Sequence, residues 1–466
     1  MKNMKDAKNI KIAYIGGGSR GWAWQLMRDL AIESELGGQV TLYDIDFEAA
    51  KQNETIGNSL KTRKEAVGKW DYKACETIGD ALTGADFVII SITPGTFDEM
   101  DSDVHLPEEY GIYQSVGDTV GPGGIIRALR TIPMMFEIAD AVKKYAPNAW
   151  VINYTNPMSL SVRALYERFP EIKAFGCCHE VFGTAKFLCN VLEEMEGIKD
   201  VTRQELTYNV IGINHFTFFD KANYKGIDLF PLYDKFIDKH YDEGFIYVSP
   251  EEHWRNSHPA FMCAHRVKFD LFRRYGMIAA AGDRHLAEFC YGKEYLKNPE
   301  TVKSWKFGLT PVDWRKDDLK ERLEKSRKYI SGEEEVEIKA SGEEGVLQIK
   351  ALLGLGNFMT NVNVINRGQV PQLPIGSVVE TNAYFSADEV RPVICDNIPA
   401  ELTALFSRHI YNQESVLQSA VTGDLSHAFR AFCNDPLVTL EVADAKELFD
   451  RMIENTKEYL KDYKID

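Results

Sequence analysis

The stretch IKIAYIGGGSRGWAWQLMRDLAIESEL, Ile10 to Leu36, decides the fold. Six mostly apolar residues run into a cluster of glycines, and a helical stripe formed by Ala23, Leu26, Met27 and Leu30 follows. This reads as strand, glycine turn and helix. Gly16, Gly18 and Gly21 stand in the G-x-G-x-x-G spacing, where the glycines allow a tight turn, close approach of a pyrophosphate and close helix–strand packing. A second strand, QVTLYDID, ends at Asp44 and Asp46, and a carboxylate there binds a ribose 2′-hydroxyl and repels a 2′-phosphate. The expectation is an NAD site rather than an NADP site. The bland alternative is a turn that merely needs glycine. Ser19 and Arg20 inside the turn, and Thr93 and Asn153 at later strand ends, complete the candidate cofactor set.

Outward from this unit the pattern repeats. ADFVIISITPG, AWVINYTNP and IKAFGCCHE read as further short buried strands, and RTIPMMFEIADAVKKYAP as a helix between two of them. Strands alternating with helices predict an α/β fold, a Rossmann-type doubly wound parallel sheet whose cleft lies beyond the carboxyl ends of its strands. After about Val201 the pattern changes to sheet-like LTYNVIGINHFTFFDKANY, a charged helix DWRKDDLKERLEKSRKYI and amphipathic C-terminal helices. The expected division is an NAD-binding domain over residues 1–200 and a mixed α/β substrate, metal and oligomerisation domain over 201–466. The charge- and glycine-rich SGEEEVEIKASGEEGV is expected to be a mobile connection.

Composition narrows the function. A net charge of -16 argues against nucleic acid as partner, and an anionic substrate would need a local cluster of Arg or His. No apolar run is long enough for a membrane span, and the polar start suggests no signal peptide. The 8 cysteines show no disulfide framework, which fits a reducing, cytoplasmic setting.

Several segments carry candidate chemistry. AFGCCHEVFG, Ala174 to Gly183, sets Cys177, Cys178, His179 and Glu180 in a row: buried filler, half of a disulfide, a metal site, or a nucleophile with its base. GDTVGPGGIIRALRTIP is either a loop and helix with surface charges or a segment crossing the nicotinamide end of the cofactor. In INYTNP, Asn156 before proline is a turn former or a residue orienting a substrate hydroxyl. His215, in GINHF, is a satisfied core histidine or, paired with Cys178, a ligand to a divalent metal with open positions. In AAAGDRHLAEF, Asp283 is a helix N-cap or a general base, and Arg284 a carboxylate clamp. NVNVINRGQVPQLPIGSVVETN is a sheet with a turn or a polar wall over the substrate.

Taken together, IAYIGGGSRG, VTLYDID, GPGGIIRALRTIP, NYTNPMS, CHEV, GINHF and NRGQVPQLP resemble glycoside hydrolase family 4, over nearly the whole chain. The resemblance implies a lactate/malate dehydrogenase-like Rossmann half, bound NAD, and Mn2+ or another divalent metal held by Cys178 and His215. It implies glycoside cleavage by NAD-mediated oxidation at sugar C3, C2 deprotonation, elimination, water addition and re-reduction. The form Cys178-His179-Glu180-Val181 is similar to the α-galacturonidase branch, with α-galactosidase, α-glucosidase and α-glucuronidase as alternatives. The implied roles are His179 as the leaving-group acid and Asp283 as the C2 base, with Tyr275 as its alternative. Asn156, Glu180, Arg284 and His285 are assigned to substrate, the uronate carboxylate falling to Arg284 or His285. Asp118 stands where many relatives have glutamate. Relatives imply a homodimer or homotetramer. A rival from another class, a malate-like NAD-dependent dehydrogenase, would explain the turn and TNP but not the thiolate ligand.

Overall fold

The computed structural model describes residues 6–246, 259–395 and 397–465. Six parallel strands, β1 (Ile10–Ile15), β2 (Gly37–Tyr43), β3 (Lys69–Cys75), β4 (Phe87–Ile90), β5 (Trp150–Asn153) and β6 (Lys173–Gly176), lie in the order β3-β2-β1-β4-β5-β6. This is the doubly wound order, with the sequence of strands reversing between β1 and β4. Central strands read as unbroken apolar runs because helices cover both faces: every residue of β4 is buried. β3, KWDYKAC, was not anticipated. It alternates exposed and buried side chains, as an edge strand does.

The sheet does not end with β6. Beyond β7 (Thr207–Ile213), β8 (Phe216–Tyr224), β9 (Ile227–Asp228) and β10 (Ile278–Ala279), strands β11 (Phe358–Ile365), β12 (Val378–Ser386) and β13 (Glu389–Pro392) continue it antiparallel to nine strands. The junction pairs Asn363 of β11 with Gly176 of β6. β7 and β8 form a hairpin in a second sheet flanked by β10, and Asn382 Nδ2 on β12 donates to the Tyr208 carbonyl on β7 at 2.7 Å.

The helix Gly121–Tyr145 starts earlier than its apolar periodicity suggests, because Pro122 is accommodated in a first turn that needs no N–H there. Arg130 on this helix is fully buried. It donates to Asp103 (Nη1 to Oδ1, 3.1 Å), to Thr456 Oγ1 at 3.0 Å and to the Pro94 carbonyl at 3.4 Å. One guanidinium thus joins the loop after β4 to the C-terminal helix Val442–Thr456. The segment 331–346 is tied down rather than free: Ser341 N donates to Asp29 Oδ1 at 2.7 Å and Arg63 Nη1 to the Val336 carbonyl at 2.9 Å. Within it Glu344 pairs with the buried Arg203 at 2.7 Å, which composition could not reveal. Among the described residues no helix is long and apolar enough to cross a membrane.

Removing one partner of a buried ion pair leaves the other uncompensated. Arg130→Ala is therefore expected to lower the urea-unfolding free energy by about 3–5 kcal/mol. A loss below about 1 kcal/mol would contradict this account of the junction.

Candidate active site

The glycine turn is built for close approach. Gly16 has φ +91°, and a Cβ there would sit 2.0 Å from the Ser91 carbonyl oxygen. A Cβ on Gly18 would sit 2.6 Å from Ala49 Cβ, so the turn and the following helices meet without side chains between them. Asp44 grips this turn: Oδ2 accepts from Gly18 N at 2.8 Å and Oδ1 from Asp46 N at 3.0 Å. Asp46 caps the next helix, accepting from Ala49 N at 3.1 Å. The helix Trp22–Ile32 begins at Gly21 with no side-chain cap and no acid in its first turn. Its first N–H groups are left for an anion. Arg322 Nη1 reaches the Arg20 carbonyl at 3.4 Å, adding a cation over the turn, while Arg20 Nη2 reaches Gln52 at 3.3 Å. Thr93 lies exposed in the loop after β4. Asn153 differs from its expected role: its amide is engaged with the Thr155 backbone, at 2.9 and 3.2 Å, and is fully buried.

The metal candidates share a neighbourhood: both feel Glu180, and Cys178 hydrogen-bonds Asn214, the residue before His215. His215 is not in a strand interior. Ile213 pairs with Phe216, so Asn214 and His215 form the two-residue turn of the β7–β8 hairpin, with His215 at φ +67°. Its Nδ1 lies 2.8 Å from Thr119 Oγ1, and burial, followed by the neighbouring His285, lowers its pKa to about 3. The imidazole is neutral, as a metal ligand must be. Cys178 follows β6. Burial, then the carboxylates Glu380 and Glu180, push its thiol well above the usual range, so a thiolate there requires a cation. Cys177 is buried against Gln348 Oε1 at 3.1 Å, and both cysteines are free. Around this pocket the amide oxygens of Asn156, Asn214 and Asn361 are buried without a hydrogen-bond partner. Such orphaned acceptors fit a cation and sugar hydroxyls.

Glu180 and His285 form a pair, with His285 Nε2 3.4 Å from Glu180 Oε1, while Glu180 Oε2 accepts from Gly282 N at 2.9 Å. Although burial opposes ionisation, His285 holds the Glu180 carboxyl well below its usual range. Glu180 in turn outweighs the burial of His285 and raises its pKa. The rings of His285 and His215 lie 4.0 Å apart. His179 Nδ1 lies 3.0 Å from Glu343 Oε1 and its ring stacks on Trp22 at 5.7 Å. Asn156 donates to Asp118 Oδ2 at 3.1 Å.

Three expected residues are directed elsewhere. Asp283 accepts from Val267 N at 3.3 Å and Lys268 N at 3.2 Å, capping the helix Arg266–Tyr275 rather than facing His215. It groups with the half-buried Cys263 and His265, the donor atoms of all three lying within 4.8 Å of one another, but there Lys268 Nζ, 3.2 Å from His265 Nδ1, supplies the cation. Tyr275, in the last turn of that helix, is influenced by burial, Cys290, Arg274 and Glu294, none of them in the pocket. Arg284 donates to the carbonyls of Gly308 (3.1 Å) and Ser115 (2.5 Å) and to Thr310 Oγ1 (2.5 Å), so it fastens loops together. Sequence reading missed Glu343 and Glu380. Glu380 accepts from Asn361 at 2.7 Å and Asn214 at 3.3 Å, and burial raises its pKa to about 7. A signal existed: Asn361 and Asn363 alternate on β11, and Asn363 pairs with Glu380 across the ladder.

With this geometry the comparisons agree. The family 4 glycosyl hydrolase profile matches residues 11–194, and the family 4 glycosyl hydrolase C-terminal domain matches residues 210–438. The chain belongs to the family 4 glycosyl hydrolases. An alpha-galacturonidase of Thermoanaerobacterium saccharolyticum is 61% identical over 98% of this chain and 98% of its own. One from Bacillus subtilis is 53% identical over 97% and 99%. The crystal structure of lplD from Bacillus subtilis superposes with a TM-score of 0.90 at 52% identity, covering 96% of this chain and 100% of that one. A 6-phospho-alpha-glucosidase from gut microorganisms in complex with NAD and Mn2+ shares the fold, with a TM-score of 0.81 at 20% identity over 98% and 100%.

The residues fit both groups: the glycine turn with Asp44 for a dinucleotide, Cys178 and His215 for a divalent cation. Cys178→Ala is expected to weaken Mn2+ binding, followed by electron paramagnetic resonance of the free ion, by about 100-fold or more while NAD+ affinity stays the same. Equal Mn2+ affinity in the variant would remove Cys178 from the ligand set.

Proposed function

We propose that the chain hydrolyses α-galacturonides, with digalacturonate as the simplest substrate, in an NAD- and divalent-metal-dependent reaction. The end-to-end identity to the alpha-galacturonidase of Thermoanaerobacterium saccharolyticum carries this reading of the substrate. When bound, NAD+ and the cation supply, respectively, a reversible hydride acceptor at sugar C3 and a Lewis acid.

The chain's own residues supply the rest. Cys178 and His215 hold the cation, and Thr119 fixes the imidazole through Nδ1, 2.8 Å away. The unpartnered amide oxygens of Asn156 and Asn214 orient sugar hydroxyls. Two histidine–carboxylate pairs, His285 with Glu180 and His179 with Glu343, are proton carriers in the pocket. They divide the work: His285 serves the C2 proton, and His179 protonates the leaving oxygen.

Digalacturonate hydrolysis in D2O with NAD+ and Mn2+, followed by NMR, tests the reaction. Deuterium at C2 of the released non-reducing-end sugar is expected, and activity is lost with EDTA or without NAD+. Hydrolysis that ignores both additions would refute it. A second measurement addresses His179. Its Gln variant is expected to lose about 100-fold or more on digalacturonate but far less on an aryl galacturonide, whose leaving group needs no acid. Equal losses on both would remove His179 from that role.

A further inference from the structure

Three arginines converge on one carboxylate beyond His215. Asp118 Oδ1 lies 3.9 Å from His215 Nδ1, and its Oδ2 accepts from Asn156, whose carbonyl accepts from Arg127 Nε at 3.2 Å. Arg284 and Arg315 both stand over the Phe261 ring, at 5.0 and 5.7 Å, and Arg315 also lies 5.5 Å from the Trp314 ring. Arg127, Arg284 and Arg315 all lie within reach of the Asp118 charge. Glu288, the other acid here, is pushed up to about 7 by burial, its Oε1 accepting from Val116 N and Gly117 N at 2.7 and 2.9 Å. The Glu180 charge is balanced by His285. Asp103 and Asp318 also face this group but are paired with Arg130 and Arg322, so Arg127, Arg284 and Arg315 outnumber Asp118 and Glu288, the acids left to them, inside a chain whose net charge is -16.

The three are not equivalent. Arg284 has carbonyl and hydroxyl acceptors on both sides, and Arg127 has its Nε on Asn156. The buried Nε of Arg315 has no hydrogen-bond partner among the described residues. A fixed guanidinium with an unmet donor, in a pocket with surplus positive charge, is the complement of a carboxylate. The dinucleotide does not account for it. Arg322, which reaches the glycine turn, lies seven residues along the same helix (Val312–Ser331), about 10 Å further on. Arg315 is placed at the sugar end, with Asp118.

We propose that Arg315, assisted by Arg127, receives the carboxylate of the uronic acid and sets the preference for it over a neutral sugar. This rests on the galacturonide reading above. A neutral substituent at that position leaves the Arg315 donors unmet and the surplus charge uncompensated, and that penalty is the source of selectivity.

The test compares p-nitrophenyl α-galacturonide with its methyl ester, which loses the carboxyl charge and gains one methyl group. The NAD+- and Mn2+-loaded enzyme is expected to favour the acid in kcat/KM by about 100-fold. In Arg315→Gln that ratio falls to within about threefold, chiefly through KM, and Arg315→Lys restores part of it. Thermal melting and NAD+ binding report whether the variant is folded. An undiminished acid-to-ester ratio in folded Arg315→Gln, or no preference in the wild type, overturns the proposal. The binding of free galacturonate and its methyl ester gives the same comparison without turnover. Absence of hydrolysis would thus sink the activity proposed above, while the affinity ratio still decides the role of Arg315.

Discussion

A short backbone contact, Gly176 on β6 against Asn363 on β11, is what the site hangs from. It welds residues 358–392 onto the edge of a sheet begun by the first 180 residues. Without it, Cys178 would be followed by an open edge and Glu380 would belong to another layer. With it, the polar faces of β11 and β12 arrive beside the loop that carries Cys178. Asn361 Nδ2 can then donate to the Cys178 carbonyl at 3.1 Å as well as to Glu380. The metal-binding end of a nucleotide-binding sheet is completed by strands that arrive almost two hundred residues later.

A second constraint fixes the other wall. The loop 114–119 is held by polar contacts. Gln114 donates to the Asp103 carbonyl at 2.7 Å, Glu288 takes two N–H groups, and Arg284 takes the Ser115 carbonyl. These fastenings leave Asp118 and Thr119 no freedom to drift from His215. The site then brings together a neutral imidazole, a protonated thiol and an excess of guanidinium groups. Such a mixture is costly to leave uncompensated, which is why it is informative about what binds there.

The sequence was most legible where local patterns suffice. Glycine spacing, the run of apolar residues in β4 and the acid at the end of β2 are short-range signals, and the parallel sheet follows from them. Proximity in sequence misled where side chains turn away from their neighbours. Asp283 and His285 are two residues apart, yet the first caps the helix Arg266–Tyr275 and the second faces Glu180. Arg284, between them, is taken by carbonyls from two distant loops. The charged segment 331–346 carried the composition of a mobile linker, but Glu343 meets His179 and Ser341 meets Asp29.

By itself, then, the sequence determined the parallel strand–turn–helix unit, because its signals lie within a single turn or strand, while the family and the two metal-ligand candidates rested on the resemblance of motifs spread along the chain. Tertiary structure decided which histidines have carboxylate partners, which arginine keeps an unmet donor, and which acids face the pocket. The physical reason is that burial and pairing are set by elements far apart in the chain. A charge is functional or merely structural according to what the fold places opposite it.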